Sequence, residues 1–151
     1  MLQQIMPDKI GLYWSHMKSR VDEIIKGVPG ESIHKLNNIL HDLLSGKKVG
    51  WISYHNDNGR KKSDAFIITE VVSDPITETK SLLLFCMVGD NLPESSWIEG
   101  FEAIEKYGVS RGCTRMTAYT DSEAIIQRVR DYGGGFKEYS FLSVPFIKEN
   151  S

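Results

Sequence analysis

A chain of 151 residues, 40% of them hydrophobic, can bury one sizeable core and is expected to form a single domain over residues 1–151. Its 18 Lys and Arg against 20 Asp and Glu leave a formal charge of −2, which argues against a global attraction to nucleic acid or to an anionic membrane. No apolar run is long enough to span a bilayer. The start, MLQQIMPDKI, lacks the basic flank and long apolar core of a secretory leader, and two cysteines do not make a disulfide framework, so the expected compartment is the cytoplasm.

Taken in chain order, Leu2–Met6 reads as a short strand stopped by Pro7. From Lys9 to about Lys26 the spacing is helical: Ile10, Met17, Val21, Ile24 and Ile25 fall on one side, and Ser15, Lys18 and Asp22 on the other. Gly27–Val28–Pro29–Gly30 stops that helix, and a second is predicted from about Ser32 to Leu44, with Gly46 at its C-terminal end. Val49–His55 reads as a strand. Asn56–Asp57–Asn58–Gly59 is a hairpin signal, and the apolar run Ala65–Val72 makes the returning strand. After a turn at Ser73–Asp74–Pro75, Ser81–Val88 (SLLLFCMV) is nearly all apolar, the pattern of a strand covered on both faces. A helix over Ser95–Tyr107 follows, ended by Gly108, then a strand at Cys113–Tyr119. A last helix is capped by Asp121 or Ser122 and carries Ala124, Ile125, Val129 and Tyr132. Past Gly133–Gly134–Gly135, Phe136–Ile147 reads as a closing strand whose far end, at Pro145, is an edge. An antiparallel meander ahead of two helix-linked strands predicts an α+β domain with a mixed, mostly antiparallel sheet, two N-terminal helices and two later ones.

The chemistry concentrates around Ser81–Tyr107. Strand, turn at Gly89–Asp90–Asn91, then helix is the general layout of an anion site, because the first amides of a helix lack intrahelical partners and point at the turn. The turn holds one glycine, no Lys or Arg, and the acids Asp90 and Glu94, so a plain strand–turn–helix connection is the simpler reading.

The element order resembles that of the GNAT superfamily of N-acetyltransferases over nearly the whole chain. The run EKYGVSRGCTRMTAYTDSEAIIQRVRDYGGGF is similar to the GNAT pattern of helix, Gly-Cys turn, strand, helix and Gly-Phe entry into the final strands. Trp51, Trp97, Gly112–Cys113 and Gly133–Phe136 make it look most like the small GNAT-like proteins of tailed bacteriophages. The resemblance implies that acetyl-CoA is the cofactor and that its pyrophosphate is held by the segment between the fourth strand and the next helix, here Gly89–Ser96 (GDNLPESS). Val88, Gly89, Asn91, Ser95 and Ser96 are the cofactor-binding candidates. Asp90 and Glu94 oppose an anion there. The resemblance places the general acid, usually a Tyr, at Gln127 or Arg128, with Tyr132 nearby.

Acyl transfer from a thioester to an amine needs a donor to the carbonyl oxygen, a base for the ammonium and an acid for the leaving thiolate. Backbone amides near Phe85–Val88 are candidates for the first. Glu70, a carboxylate inside the apolar strand AFIITEVV, is the candidate base acting through water, its pKa raised by burial. Tyr119 and Tyr132 are the candidate acids. The plainer readings are a solvent-facing acid and two packed aromatics with wet hydroxyls. His34 and His41 share a helical face but have no ligand set around them, so no metal is expected. The clusters Arg60–Lys61–Lys62, Arg111 with Arg115, and Arg128 with Arg130 could meet a nucleotide 3′-phosphate, or are solvated faces.

Two functions are therefore expected in competition. One is an acyl-CoA-dependent N-acetyltransferase whose partner is a small-molecule or protein amine acceptor. The other is a GNAT-fold protein that has lost catalysis and binds a protein partner or self-assembles, such as a phage accessory or virion component in the host cytoplasm or virion.

Overall fold

The computed structural model describes residues 2–25, 34–89, 92, 94–120, 122–134 and 136–147. Five strands and four α-helices follow in the order β1 (Leu2–Ile5), α1 (Ile10–Ile25), α2 (Lys35–Ser45), β2 (Lys48–Asp57), β3 (Arg60–Asp74), β4 (Thr79–Gly89), α3 (Glu94–Ser110), β5 (Cys113–Ala118) and α4 (Glu123–Tyr132), with one 3-10 turn at Pro7–Lys9. The predicted start of α2 at Ser32 lies outside the described residues.

The strands lie in sequence order, β1 to β5. The first four are antiparallel to their neighbours, and β5 runs parallel to β4 after the α3 crossover. The hairpin between β2 and β3 turns on Asn58 and Gly59, both at positive φ, the two-residue geometry that Asn-Gly favours. The turn between β3 and β4 is held by Asp74, whose carboxylate accepts from the amides of Ile76 and Thr77. Ser122 caps α4 through the Ile125 amide, one of the two caps the sequence offered.

Each face of the sheet carries a helical layer. Ile10, Met17 and Val21 of α1 and Ile39 and Leu43 of α2 pack against Ile52, Phe66, Ile68, Cys86 and Val88. Phe101 and Ile104 of α3 pack against Trp51, Ile67, Leu82, Leu84 and Met87. Strand alternation sends neighbouring residues to opposite layers, which is why the run from Ala65 to Ile68 is apolar throughout. Thr69, next in the strand, is buried and stays satisfied because its hydroxyl accepts from the Trp51 indole at 3.0 Å.

Two expectations need correction. Gly108 does not end α3. The helix continues to Ser110, and Gly108 lies where a Cβ would stand 3.3 Å from Leu82 Cδ2, so it marks a close helix–sheet approach. The closing strand over Phe136–Ile147 is also absent: those residues carry no strand and are exposed apart from half-buried Phe136. Pairing β-branched and aromatic residues needs a partner strand, and among the described residues the sheet ends at β5.

Candidate functional site

The site is built around β4. In its ladder with β3, Ile68 stands opposite Cys86 and Thr69 opposite Leu84, so Phe85 is an extra residue, a β-bulge. The bulge changes the phase of the pleat. Leu84 and Met87 face the α3 layer, while Phe85 and Cys86, adjacent in sequence, both turn to the α1–α2 layer. A continuous apolar run tolerates that change without exposing a side chain.

On its other side β4 pairs with β5 only from Lys80 to Leu84, the last pair being Leu84 with Ala118. β4 then continues along β3 to Gly89, opposite Ala65. Residues 85–89 therefore have β3 on one side and no strand partner on the other among the described residues. Alternate N–H and C=O groups of that stretch turn away from β3 into the opening. The strands part where β4 bulges, and α3 begins a few residues beyond, at Glu94. The first amides of α3 thus border the same end of β4.

Gly89 sits tightly there. A Cβ would meet Leu92 Cδ1 at 3.0 Å, Ala65 Cβ at 3.5 Å and Trp97 Cζ2 at 3.5 Å. A small apolar pocket lies on the α3 side of the same strand end, lined by Val88, Leu92, Ser96 and Trp97 together with Leu2 and Gly100. It is not the opening between β4 and β5 but lies toward β1. Val88 and Ser96, two of the cofactor candidates, are thereby brought together; Ser95 is exposed on the first turn of α3, and Asn91 lies outside the described residues.

The turn lacks a cation in sequence, but the fold brings one near. The Arg128 guanidinium of α4 stands 6.0 Å from the ring centre of Trp97, in the first turn of α3. Nothing in the local sequence of Gly89–Ser96 signals that approach; the only hint was the basic pair Arg128 and Arg130 on the last helix.

The three catalytic candidates are not brought together. Glu70 lies on the α1–α2 face, 3.4 Å from the Lys48 ammonium. Lys48 also donates to Asp42 at 2.6 Å and sits 5.1 Å over the Phe85 ring at the bulge. Asp42, Lys48 and Glu70 thus form a half-buried ion network under β4. The hydrogen bond from Lys48 holds the Asp42 carboxyl below its ordinary value near 3.8, against the opposing effect of desolvation. Tyr119 follows Ala118 directly, at the point where the strands part, and is 70% exposed with its ring 5.7 Å from Phe141. Tyr132 packs on Phe101 at 5.1 Å and donates its hydroxyl to Glu105. Burial, with the Glu105 hydrogen bond next, pushes its pKa up to about 12. The Cys86 thiol is buried under the sheet and pushed up to about 12 by desolvation, which makes it inert rather than nucleophilic. Among the described residues no group of His, Cys, Asp and Glu could hold a metal ion, and no helix is long and apolar enough to cross a membrane.

The overall fold is shared with solved acetyltransferases. A probable acetyltransferase superposes with a TM-score of 0.69 at 12% identity, covering 99% of both chains. The fold is that of the GNAT acetyltransferases. An aminoglycoside acetyltransferase from an uncultured soil metagenomic sample, in complex with sisomicin, gives 0.70 at 10% identity over 98% of this chain and 96% of that one. A predicted acetyltransferase from Clostridium acetobutylicum, solved with acetyl-CoA, gives 0.65 at 14% identity over 96% and 95%. No protein-family model and no curated protein sequence matches the chain.

Proposed function

We propose that the protein is an acyl-CoA-dependent N-acetyltransferase whose cofactor lies in the opening between β4 and β5. The observation that carries this reading is the five-residue stretch 85–89, where one strand edge is left free directly after a bulge. A pantetheine arm carries amides that would complete such an edge, as an added strand does. The fold shared with an acetyltransferase solved with acetyl-CoA supports the choice of ligand.

The residues fit that ligand. Gly89 leaves backbone access where a side chain would crowd Leu92, and Arg128 beside Trp97 offers a positive charge near the first turn of α3. Glu94 is the one described acid in that turn and weakens the site. Acetyl-CoA supplies an activated acyl thioester. The unpaired amides of β4 would hold the thioester oxygen and offset negative charge there. Glu70, on the α1–α2 face and 3.4 Å from the Lys48 ammonium, is the candidate base and would reach the incoming ammonium only through water. Tyr119, exposed at the mouth of the opening, is the candidate acid and would supply a proton to the thiolate. Tyr132 has its hydroxyl committed to Glu105 and serves to seat α4.

Calorimetric titration with acetyl-CoA tests the reading. Wild type is expected to bind in the micromolar range, more weakly as salt rises, and Gly89→Glu is expected to weaken binding at least tenfold by adding bulk and charge at the strand end. Absence of binding at millimolar acetyl-CoA would contradict it.

A further inference from the structure

The segment 136–147 (FKEYSFLSVPFI) reads as a strand in sequence and pairs with no strand among the described residues. Its large apolar side chains are among the most exposed in the molecule: Tyr139 69%, Phe141 66%, Leu142 87%, Val144 81%, Phe146 105% and Ile147 85%. Strand alternation would place Tyr139 and Phe141 on one face and Leu142, Val144 and Phe146 on the other, so the segment is patterned for cover on both sides. Its few contacts run to the α4 end of the fold, where Arg130 meets Glu138 at 3.8 Å and Tyr119 meets Phe141. An exposed apolar stretch of this extent is not what a monomer presents to water.

The same chain carries the complementary defect. Among the described residues β5 pairs with β4 alone, which leaves its outer edge as a row of backbone groups without a strand partner. β5 is short and carries only one charge, Arg115, and no proline, so it lacks most of the devices that blunt an open edge. Half-buried Met116 and Ala118 extend the α3-side core right up to that edge. One molecule thus has a strand without a sheet and a sheet edge without a strand.

We propose that two copies of this chain form a symmetric dimer in which the 137–144 segment of each adds to the β5 edge of the other. A two-fold axis makes the exchange reciprocal, so both tails and both edges are satisfied by one contact type, and assembly closes at two. Pro145 has no N–H to contribute and ends the added strand. The occupant is argued to be a second copy, because the edge and the apolar segment that fits it are present in equal number on the same chain. This dimer is independent of whether the protein transfers acetyl groups.

Light scattering coupled to size exclusion tests it on the full chain at tens of micromolar. Wild type is expected at twice the 17.1 kDa chain mass. The double variant Leu142→Glu, Val144→Glu is expected at one chain mass and still folded, its circular dichroism changed only by loss of the added strand, since both side chains face solvent within the protomer. Hydrogen exchange locates the contact: amides of β5 and of 137–144 are expected to be protected in wild type and to exchange at least tenfold faster in the double variant. A wild-type monomer overturns the proposal, whether its tail is free or folded back on its own β5. A dimer that survives the double variant, or one whose loss leaves β5 exchange unchanged, overturns it as well.

Discussion

Phe101→Ala is expected to lower the unfolding free energy by about 4 kcal/mol, measured by urea denaturation. Phe101 is 2% exposed and is where three parts of the fold meet. It packs against Trp51, Ile67 and Leu84 of the sheet, lies 5.9 Å from Trp97 in its own helix, and stacks with Tyr132 of α4 at 5.1 Å. Removing the ring costs its burial and leaves a cavity that β-sheet and helix cannot close, because the sheet side is fixed by the ladders of β2 to β4. α4 contains no buried residue and rests on half-buried Ile125, Val129 and Tyr132. It is therefore the element expected to detach first, carrying Arg128 away from Trp97. Hydrogen exchange of α4 amides is expected to rise more than that of β3 in this variant. A loss under 1 kcal/mol would contradict the packing described here.

Lys48→Met is the second large effect, about 3 kcal/mol at neutral pH. The Lys48 side chain is 10% exposed and lies between carboxylates that are 21% and 19% exposed. Its removal leaves Asp42 and Glu70 facing each other under β4 with their shared cation gone, and methionine restores only the contact with Phe85. The effect depends on pH with a definite sign. Asp42 titrates lower in the folded chain than its ordinary value near 3.8, so its pairing contributes fully above that value and is lost as pH falls through the folded one. The gap between wild type and Lys48→Met is thus expected to be widest above about pH 5 and to narrow as Asp42 protonates. A pH-independent gap would mean that Lys48 acts by packing alone.

How much of this was legible in the sequence differs from element to element. The Asn58–Gly59 hairpin and the helical stripe of α1 follow from local chemistry, and the structure has both. Thr69 could be recognised as a strand residue but not as the acceptor for Trp51, since that pairing depends on the β2–β3 register. The bulge at Phe85 is silent in sequence for a physical reason: in SLLLFCMV every position is compatible with burial on either face, so a change of pleat phase leaves no mark. Glu70 reads in sequence as a lone carboxylate in an apolar strand. Its partner Lys48 stands opposite it across the β2–β3 ladder, and Asp42 comes from α2, so the network exists only once helix and sheet are docked. Arg128 reaches Trp97 by the same route, through the docking of α4 on α3. The segment 136–147 shows the converse. Its strand propensity is plain in sequence, but propensity does not supply a partner, and among the described residues the sheet stops at β5.

Under the proposed function, the free edge of β4 receives the acyl-CoA. Amide-resolved NMR titration with acetyl-CoA tests it most directly, because it reports where the ligand sits as well as whether it binds. Saturable shifts are expected at the amides of residues 85–89 and in the first turn of α3, with β1 and α2 unaffected. Saturable shifts confined to any other surface, or none at millimolar acetyl-CoA, would contradict it.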